Sequence, residues 1–273
     1  MDKLAIIILN RNLPKVTDQL YNQFKNNNKK TDIYIVESGS DKNLLSKNYT
    51  WHANNQYARK NGLRFNRGMN FALFNLVKEN KFKNYKYFML ITNDTEFENY
   101  SVQTKIAKIF LKHKKLGVLS PCSRNWGELN YLKKNNVKYF WFIKNTALII
   151  RKELIEKIAD FKEKNYKNFL FDGNNFRGFG LEAELIIKSY INDFAAAITK
   201  DFYVNENQTY LKNDYKRIKT DSYEKNLKKY IIEGKKWMKK KYGFNSKWSM
   251  QMNAKLFYDK FFDYNPDLIK YKL

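Results

Sequence analysis

The chain has 273 residues, of which 43% are hydrophobic and 17% aromatic, so it can bury a large core and is too apolar for widespread disorder. Only 3 prolines and 10 glycines occur, which argues against a β-sandwich built on many tight turns, and the single cysteine excludes an internal disulfide framework or a cysteine-rich zinc site. The formal net charge of +25 suits an anionic partner, but the lysines are scattered among abundant Asn, as an AT-rich genome would also produce.

The N-terminal part of the chain begins as a strand, a helix and a second strand. Residues 4–9 and 33–36 are short β-branched runs that predict buried strands, and Val16, Leu20 and Phe24 repeat at helical spacing between them. This order predicts a parallel sheet with right-handed crossovers. The glycine loop after the second strand lacks the spacing of a dinucleotide fingerprint or a P-loop, which disfavours a nicotinamide enzyme and a P-loop ATPase. The first apolar run is too short for a signal peptide or a membrane span, so we expect a cytoplasmic protein.

The stretch 87–96 is the predicted centre of the sheet. Its first five residues are apolar or aromatic, which suits a strand buried on both faces, and the run then stops on Thr-Asn-Asp-Thr-Glu. Ligands of open α/β sheets bind beyond the carboxyl ends of the strands, and a carboxylate there suits a hard divalent cation that carries phosphate oxygens. The alternative is that Asn93 and Asp94 form only a turn.

Two predicted helices carry charged residues at their ends. A helix is expected to begin near Arg67, so that Arg64 and Arg67 either face an anionic group or are simply solvated. His113 follows another predicted helix within a run of lysines, and we expect it to be exposed and not a ligand.

The Gly- and Asn-rich loop 171–180 opens onto a helix that carries Glu182 and Glu184. Two carboxylates two positions apart cannot share one helix face, so different roles are expected for them. The basic, aromatic tail is predicted to be helical over residues 222–242.

The order of these segments resembles the family-2 glycosyltransferases, which have the GT-A fold, over most of residues 1–245. The segments that carry the resemblance are 6–12 (first strand and loop), 35–41 (nucleotide loop), 64–70 (segment beside the nucleotide), 90–96 (Asp-x-Asp-type motif), 146–151 (strand before the acceptor region), 178–185 (catalytic carboxylate segment) and 237–243 (basic, aromatic ending).

The resemblance implies an α/β fold with a Rossmann-like, mostly parallel central sheet flanked by helices and a basic helical C-terminal extension. The expected GT-A domain is 1–210, with a nucleotide-binding half 1–100 and an acceptor half 101–210. The expected helical, aromatic extension is 211–273.

The implied reaction is inverting transfer of a sugar from a nucleotide-diphosphate donor to a hydroxyl of a glycan or lipid-linked acceptor. The family's Glu-Asp pair is not intact here, and we expect Glu182 as the base, with Glu184 the second choice. Asp94 is the expected ligand of Mg²⁺ or Mn²⁺, and Asn205, a weaker ligand, stands where many relatives place a metal-binding His. The expected donor-binding residues are Asn10, Arg11, Asn12, Glu37, Ser38, Arg64, Asn66, Asn93 and Asp94.

Two alternatives stay open. A catalytically degenerate GT-A protein would bind a nucleotide or glycan without turnover, as the broken carboxylate pair and the absent His suggest. A nucleic-acid-binding protein, which we consider the weakest alternative, would draw on the basic charge and the aromatic tail. Residues 211–273 carry a net charge of +10, which could hold the enzyme to the inner face of an anionic membrane or could be solvated lysine.

Overall fold

The computed structural model describes residues 3–132 and 135–273, which form an α/β fold. In this part of the chain the strands are β1 (Leu4–Asn10), β2 (Thr31–Glu37), β3 (Trp51–His52), β4 (Tyr87–Thr92), β5 (Thr95–Phe97), β6 (Leu116–Pro121), β7 (Val137–Tyr139), β8 (Ala147–Arg151), β9 (Ala195–Thr199) and β10 (Val204–Glu206). The α-helices of the same residues are α1 (Pro14–Asn27), α2 (Gln56–Asn61), α3 (Arg64–Lys78), α4 (Gln103–Lys112), α5 (Lys152–Ile158), α6 (Leu181–Ile191), α7 (Thr209–Asn213), α8 (Tyr223–Tyr242) and α9 (Lys247–Tyr264).

The main sheet, as described, has eight strands in the order β3-β2-β1-β4-β8-β6-β9-β7. All run the same way except β8 and β7, which are antiparallel to their neighbours. Every residue of β1 is buried, because this strand lies between β2 and β4 under covering helices. The predicted mostly parallel sheet flanked by helices is confirmed.

The carboxyl ends of β1, β2 and β4 lie side by side. Asn10 pairs with Glu37 on one side of β1, and Leu9 pairs with Thr92 on the other. The loops that follow the three strands therefore leave the sheet at one edge, as a site at this edge requires.

A second, two-stranded sheet lies next to the end of β4. Here β10 pairs antiparallel with β5, so that Glu206 is opposite Thr95 and Asn205 is opposite Glu96. This pairing brings a late segment of the chain against the loop of the central strand.

The C-terminal helices pack on the body of the protein. Ser222 caps α8 by accepting a hydrogen bond from Lys225 N–H, and the helix ends at Gly243, whose φ of 75° favours glycine. Helix α9 packs along α6, where Tyr258 and Phe261 contact Tyr190. Residues of 211–273 therefore belong to the main hydrophobic core. No helix in the described residues is both long and apolar enough to cross a bilayer.

The expectation that His113 is exposed is wrong. The side chain is 3% exposed, its Nδ1 lies 3.2 Å from the hydroxyl of Tyr139, and its ring packs on Tyr271. Tyr271, near the C-terminus, covers the imidazole ring, and the sequence around His113 gives no indication of this contact. Burial, and to a smaller extent the charge of Lys112, lowers the pKa of His113 to about 4.

We expect His113 to make the protein less stable in mild acid. The unfolded chain binds this proton near pH 6.5 and the folded chain only near pH 4, so the contribution of His113 to the free energy of unfolding falls by about 2 kcal/mol at pH 5. The raised pKa of Glu206 has the opposite effect in this window, so the comparison of variant with wild type isolates His113. Urea unfolding at pH 7.5 and pH 5 should show a correspondingly smaller loss in His113→Gln. The control His52→Gln should keep the full loss, and an unchanged pH dependence in His113→Gln would contradict the assignment.

Candidate functional site

A cavity of about 260 Å³ lies at the carboxyl edge of β1, β2 and β4. The strand ends form one wall, and a segment of the chain that includes α7 forms the opposite one. Its polar and charged lining residues are Asn10, Arg11, Ser38, Arg64, Thr92, Asn93, Asp94, Arg177, Tyr210 and Thr220.

Among the described residues that line the cavity are the arginines Arg11, Arg64 and Arg177. Each makes some contacts at its outer nitrogens: Arg11 with the carbonyl of Arg59 at 3.0 Å, Arg64 with Thr220 Oγ1 at 2.6 Å, and Arg177 with Asp221 at 3.1 Å. The Nε of each guanidinium is buried and has no hydrogen-bond partner in the described part of the chain. Three guanidinium groups thus line one cavity, and each retains a buried N–H without a protein partner in the described residues.

The charges of these arginines are only partly compensated. Burial, followed by repulsion from Arg177 and Arg11, lowers the pKa of Arg64 to about 10. Burial also lowers the pKa of Arg11, although Asp41 opposes the shift. Because the cavity destabilises the positive charges of its own arginines, binding of an anionic ligand with several acceptor oxygens is favoured there.

Glu37 organises the strand ends from beneath the cavity and does not line it. Its carboxylate is fully buried and accepts hydrogen bonds from Asn10 Nδ2 at 3.0 and 2.9 Å, from Ser40 Oγ at 2.5 Å and from Ser46 N–H at 2.8 Å. Asn10 Oδ1 in turn accepts from Asn93 Nδ2 at 2.8 Å. The carboxylate therefore fixes the amides of β1 and β4 at the cavity wall.

Ser38 and two further expected donor-binding residues hold neighbouring segments. Ser38 lines the cavity and accepts a hydrogen bond from Leu63 N–H at 2.6 Å, just before α3. Asn12 lies off the wall and donates to the carbonyl of Arg217 at 2.7 Å, which fastens the opposite wall. Asn66, also off the wall, donates to the carbonyl of Asn175 at 3.0 Å and so positions the loop that carries Arg177.

The charge of Asp94 acts on a second carboxylate, Glu206, that the sequence did not indicate. Thr92 Oγ1 donates to Asp94, whose pKa is raised by burial. Glu206 stays open to solvent on one side, yet desolvation by its surroundings, followed by the charge of Asp94, raises the pKa of Glu206 to about 7. Excess negative charge of this kind is relieved by a cation.

Asn205, the other expected metal ligand, is held elsewhere. Its Oδ1 accepts a hydrogen bond from Ser123 Oγ, and successive residues of a strand project to opposite sides, so Asn205 and Glu206 lie on opposite sides of β10. No group of three or more His, Cys, Asp or Glu that could hold a metal occurs within residues 3–132 and 135–273. Two carboxylates fit the habit of Mg²⁺, which takes one or two of them and completes its shell with water and phosphate oxygens.

Glu182 and Glu184 lie at the start of α6, off the cavity wall, and have different partners as expected. Glu184 Oε1 accepts from Lys241 Nζ and Tyr242 Oη, both at 2.7 Å. Glu182 pairs with Lys247 through Oε1, and its Oε2 is buried without a partner in the described residues. Glu182 therefore keeps a free acceptor oxygen.

Tyr230 is affected by the charges of both Glu182 and Glu206. Burial raises the pKa of Tyr230, and the charges of these two carboxylates raise it further.

The main omissions of the sequence interpretation were Arg177, Glu206 and the wall from Tyr210 to Thr220. Arg177 lies in the Gly- and Asn-rich loop that had been noted, and Glu206 is adjacent to Asn205. The wall crosses the expected domain boundary at residue 210, where no pattern marks a site.

No protein-family model and no curated protein matches the sequence. The structure is similar to the UDP complex of residues 1–349 of TarS from S. aureus, with a TM-score of 0.52, 13% identity, and coverage of 89% of this chain and 72% of that one. A further structure of S. aureus TarS gives a TM-score of 0.50 at 12% identity, covering 87% of this chain and 43% of that one. The Pyrobaculum calidifontis mannosyltransferase PcManGT, in complex with GDP-Man and Mn²⁺, gives 0.45 at 11% identity over 72% of this chain, which spans 55% of its length. The match to TarS confirms the predicted GT-A fold.

Proposed function

We propose that the protein is a glycosyltransferase that moves a sugar from a nucleoside-diphosphate donor to a hydroxyl of a glycan or lipid-linked acceptor. The observation that carries the proposal is the presence of three arginine side chains, Arg11, Arg64 and Arg177, in the lining of one cavity at the carboxyl edge of the sheet. A diphosphate offers several charged acceptor oxygens to such donors. The fold supports this use, since the similar TarS structure contains UDP.

In the proposed reaction Glu182 is the base and Glu184 the second choice. A sugar hydroxyl is a poor nucleophile, so in the proposed step its proton passes to the Glu182 carboxylate as its oxygen bonds to the anomeric carbon. The bond from that carbon to the diphosphate breaks on the opposite side, the electron pair leaves with the diphosphate, and the configuration inverts. Lys247 holds Oε1 and orients the carboxylate.

Asp94 and Glu206 fit a divalent cation, and we propose them as ligands of Mg²⁺ or Mn²⁺ together with donor phosphate oxygens, in place of the expected Asp94–Asn205 pair. When bound, the ion offsets charge on the leaving diphosphate. Arg11, Arg64 and Arg177 stabilise the same charge from the protein side, because their guanidinium groups are already fixed in the cavity.

A second candidate is a protein of the same fold that binds a nucleotide or glycan without turnover. It is favoured by the position of Glu182, which lies off the cavity wall and is paired with Lys247. We propose that the basic residues of 211–273 contact an anionic membrane when the acceptor, or the glycan bound without turnover, is lipid-linked.

Thermal unfolding with UDP, GDP or dTDP, each with and without Mn²⁺, tests the proposal. We expect one nucleotide to raise the midpoint by several degrees at a hundredfold excess over its Kd, which corresponds to about 2.7 kcal/mol of stabilisation. The corresponding sugar nucleotide, supplied with acceptor glycans, should then release its nucleoside diphosphate. Binding without release favours the second candidate, and the absence of any nucleotide binding would refute the glycosyltransferase and leave only the glycan-binding form of the second candidate.

A further inference from the structure

A groove of about 580 Å³ lies outside the arginine cavity and is lined mainly by aromatic side chains. Tyr131 and Trp248 are 60% and 64% exposed, so water covers large ring surfaces there. Its principal lining residues are Tyr131, Trp141, Phe142, Trp248, Glu128 and Gln251.

The mixture of rings and hydrogen-bonding groups in the groove identifies the chemistry of a ligand. A pyranose ring has apolar C–H faces that stack on the electron-rich faces of aromatic rings, and hydroxyls at its rim that bond to carboxylates and amides. A lipid chain or an apolar protein surface would leave Glu128 and Gln251 without partners in a closed contact. Rings combined with polar groups at the edge therefore favour a carbohydrate.

One wall of the groove leads to Asp94. Beyond Phe142 the chain continues through Lys144, whose Nζ lies 3.8 Å from the centre of the Trp126 ring. It then reaches Thr146, whose carbonyl accepts a hydrogen bond from Thr95 Oγ1 at 3.1 Å. Thr95 follows Asp94 directly, so the loop connects the groove to the proposed donor site.

The other wall leads to the proposed base. Trp248, in the first turn of α9, follows Lys247, and Lys247 pairs with Glu182. Residues that line the groove are therefore close in the chain to residues that contact Thr95, next to Asp94, and Glu182.

We propose that this aromatic groove binds the sugar rings of a glycan acceptor, with Tyr131 and Trp248 as stacking surfaces. Binding of a glycan in the groove would deliver an acceptor hydroxyl to Glu182 only if the proposed function is correct, so this part of the inference rests on that function. The inference also narrows the acceptor, because the part held by the protein is then a carbohydrate chain, whether or not a lipid is attached to it.

Isothermal titration calorimetry with chitohexaose, cellohexaose, maltohexaose and mannohexaose tests the groove. At least one hexasaccharide should bind, and Trp248→Ala should weaken its binding about tenfold. Leu256→Ala is the matched control, because Leu256 is on the same helix, is also 64% exposed and does not line the groove. Tyr131→Ala provides a second exposed position, and both groove variants should keep the wild-type unfolding temperature and nucleotide affinity.

The outcomes separate the groove from the donor site. If no hexasaccharide binds, or if Trp248→Ala and Tyr131→Ala bind as tightly as Leu256→Ala, the groove proposal is overturned even when a sugar nucleotide is turned over. If a hexasaccharide binds through Trp248 while no nucleotide binds, the groove stands as a glycan site and the proposed transfer reaction fails.

Discussion

Replacing Glu182 by Gln should lower kcat for glycosyl transfer by roughly 10²–10⁴-fold, while donor affinity should stay within about twofold. The amide has nearly the same shape but cannot accept the acceptor's proton, and general-base catalysis contributes roughly 10²–10⁴-fold. The donor cavity is lined by other residues, so nucleotide binding should survive. Initial rates of nucleoside diphosphate release, together with calorimetric Kd values for the nucleotide, measure the two effects separately.

Glu184→Gln is the matched control two positions along the same helix. Its carboxylate is hydrogen-bonded by Lys241 and Tyr242, so the substitution disturbs packing between α6 and α8. We expect a lower unfolding temperature, because the buried ion pair of Glu184 with Lys241 is weakened. We expect kcat to stay within about tenfold of wild type, because Glu184 does not take the proton in the proposed reaction. If Glu184→Gln abolishes transfer and Glu182→Gln does not, the two roles are exchanged.

The sheet was largely predictable because its strands are short apolar runs without alternation, as double-sided burial requires. The neighbours of β8 were not predictable, because this strand is inserted antiparallel between β4 and β6, and pairing across long separations leaves no local pattern. The predicted exposure of His113 is wrong for the same reason, because Tyr271, at the far end of the chain, covers the side chain.

At the site, strand ends could be predicted but side-chain directions could not. Asn10, Arg11 and Asp94 line the cavity because parallel strands end at a common edge. Glu37 ends β2 at the same edge, yet its carboxylate points into a hydrogen-bond network with Asn10. The position of a residue in the sequence predicts that it lies at the carboxyl edge of the sheet. Its hydrogen-bond partners in the folded protein determine whether its side chain faces the cavity.

Residues brought by distant segments were beyond local patterns. Arg177 reaches the cavity from the loop before α6, and Thr220 from a connection between helices. Neither segment shows a spacing that predicts contact with β1. Only the folded chain shows that Arg11, Arg64 and Arg177 share one cavity.

The opposing effects of Arg64→Met provide the sharpest test of that shared cavity. Removing this guanidinium should weaken binding of the cognate nucleoside diphosphate about 10- to 100-fold, because a charge-assisted hydrogen bond is worth roughly 1.5–3 kcal/mol. The unliganded variant should unfold at a temperature at least as high as the wild type. Burial and the charges of Arg177 and Arg11 already disfavour the Arg64 cation, and Thr220 and Asn226 keep a hydrogen bond to each other at 3.1 Å.

Arg67→Met is the control one turn further along α3. Arg67 donates to the carbonyl of Gly173 at 2.7 Å and stacks on Tyr57 and Phe176, but it does not line the cavity. The Arg67→Met substitution should lower the unfolding temperature. Nucleotide affinity should stay within about threefold, a margin that allows for a small movement of the loop that carries Arg177. Calorimetric titration and thermal unfolding of both variants give the comparison. Undiminished nucleotide affinity in Arg64→Met would mean that Arg64 does not bind the diphosphate. The three arginines would then serve another anionic ligand, because a buried cation without a ligand only destabilises the fold.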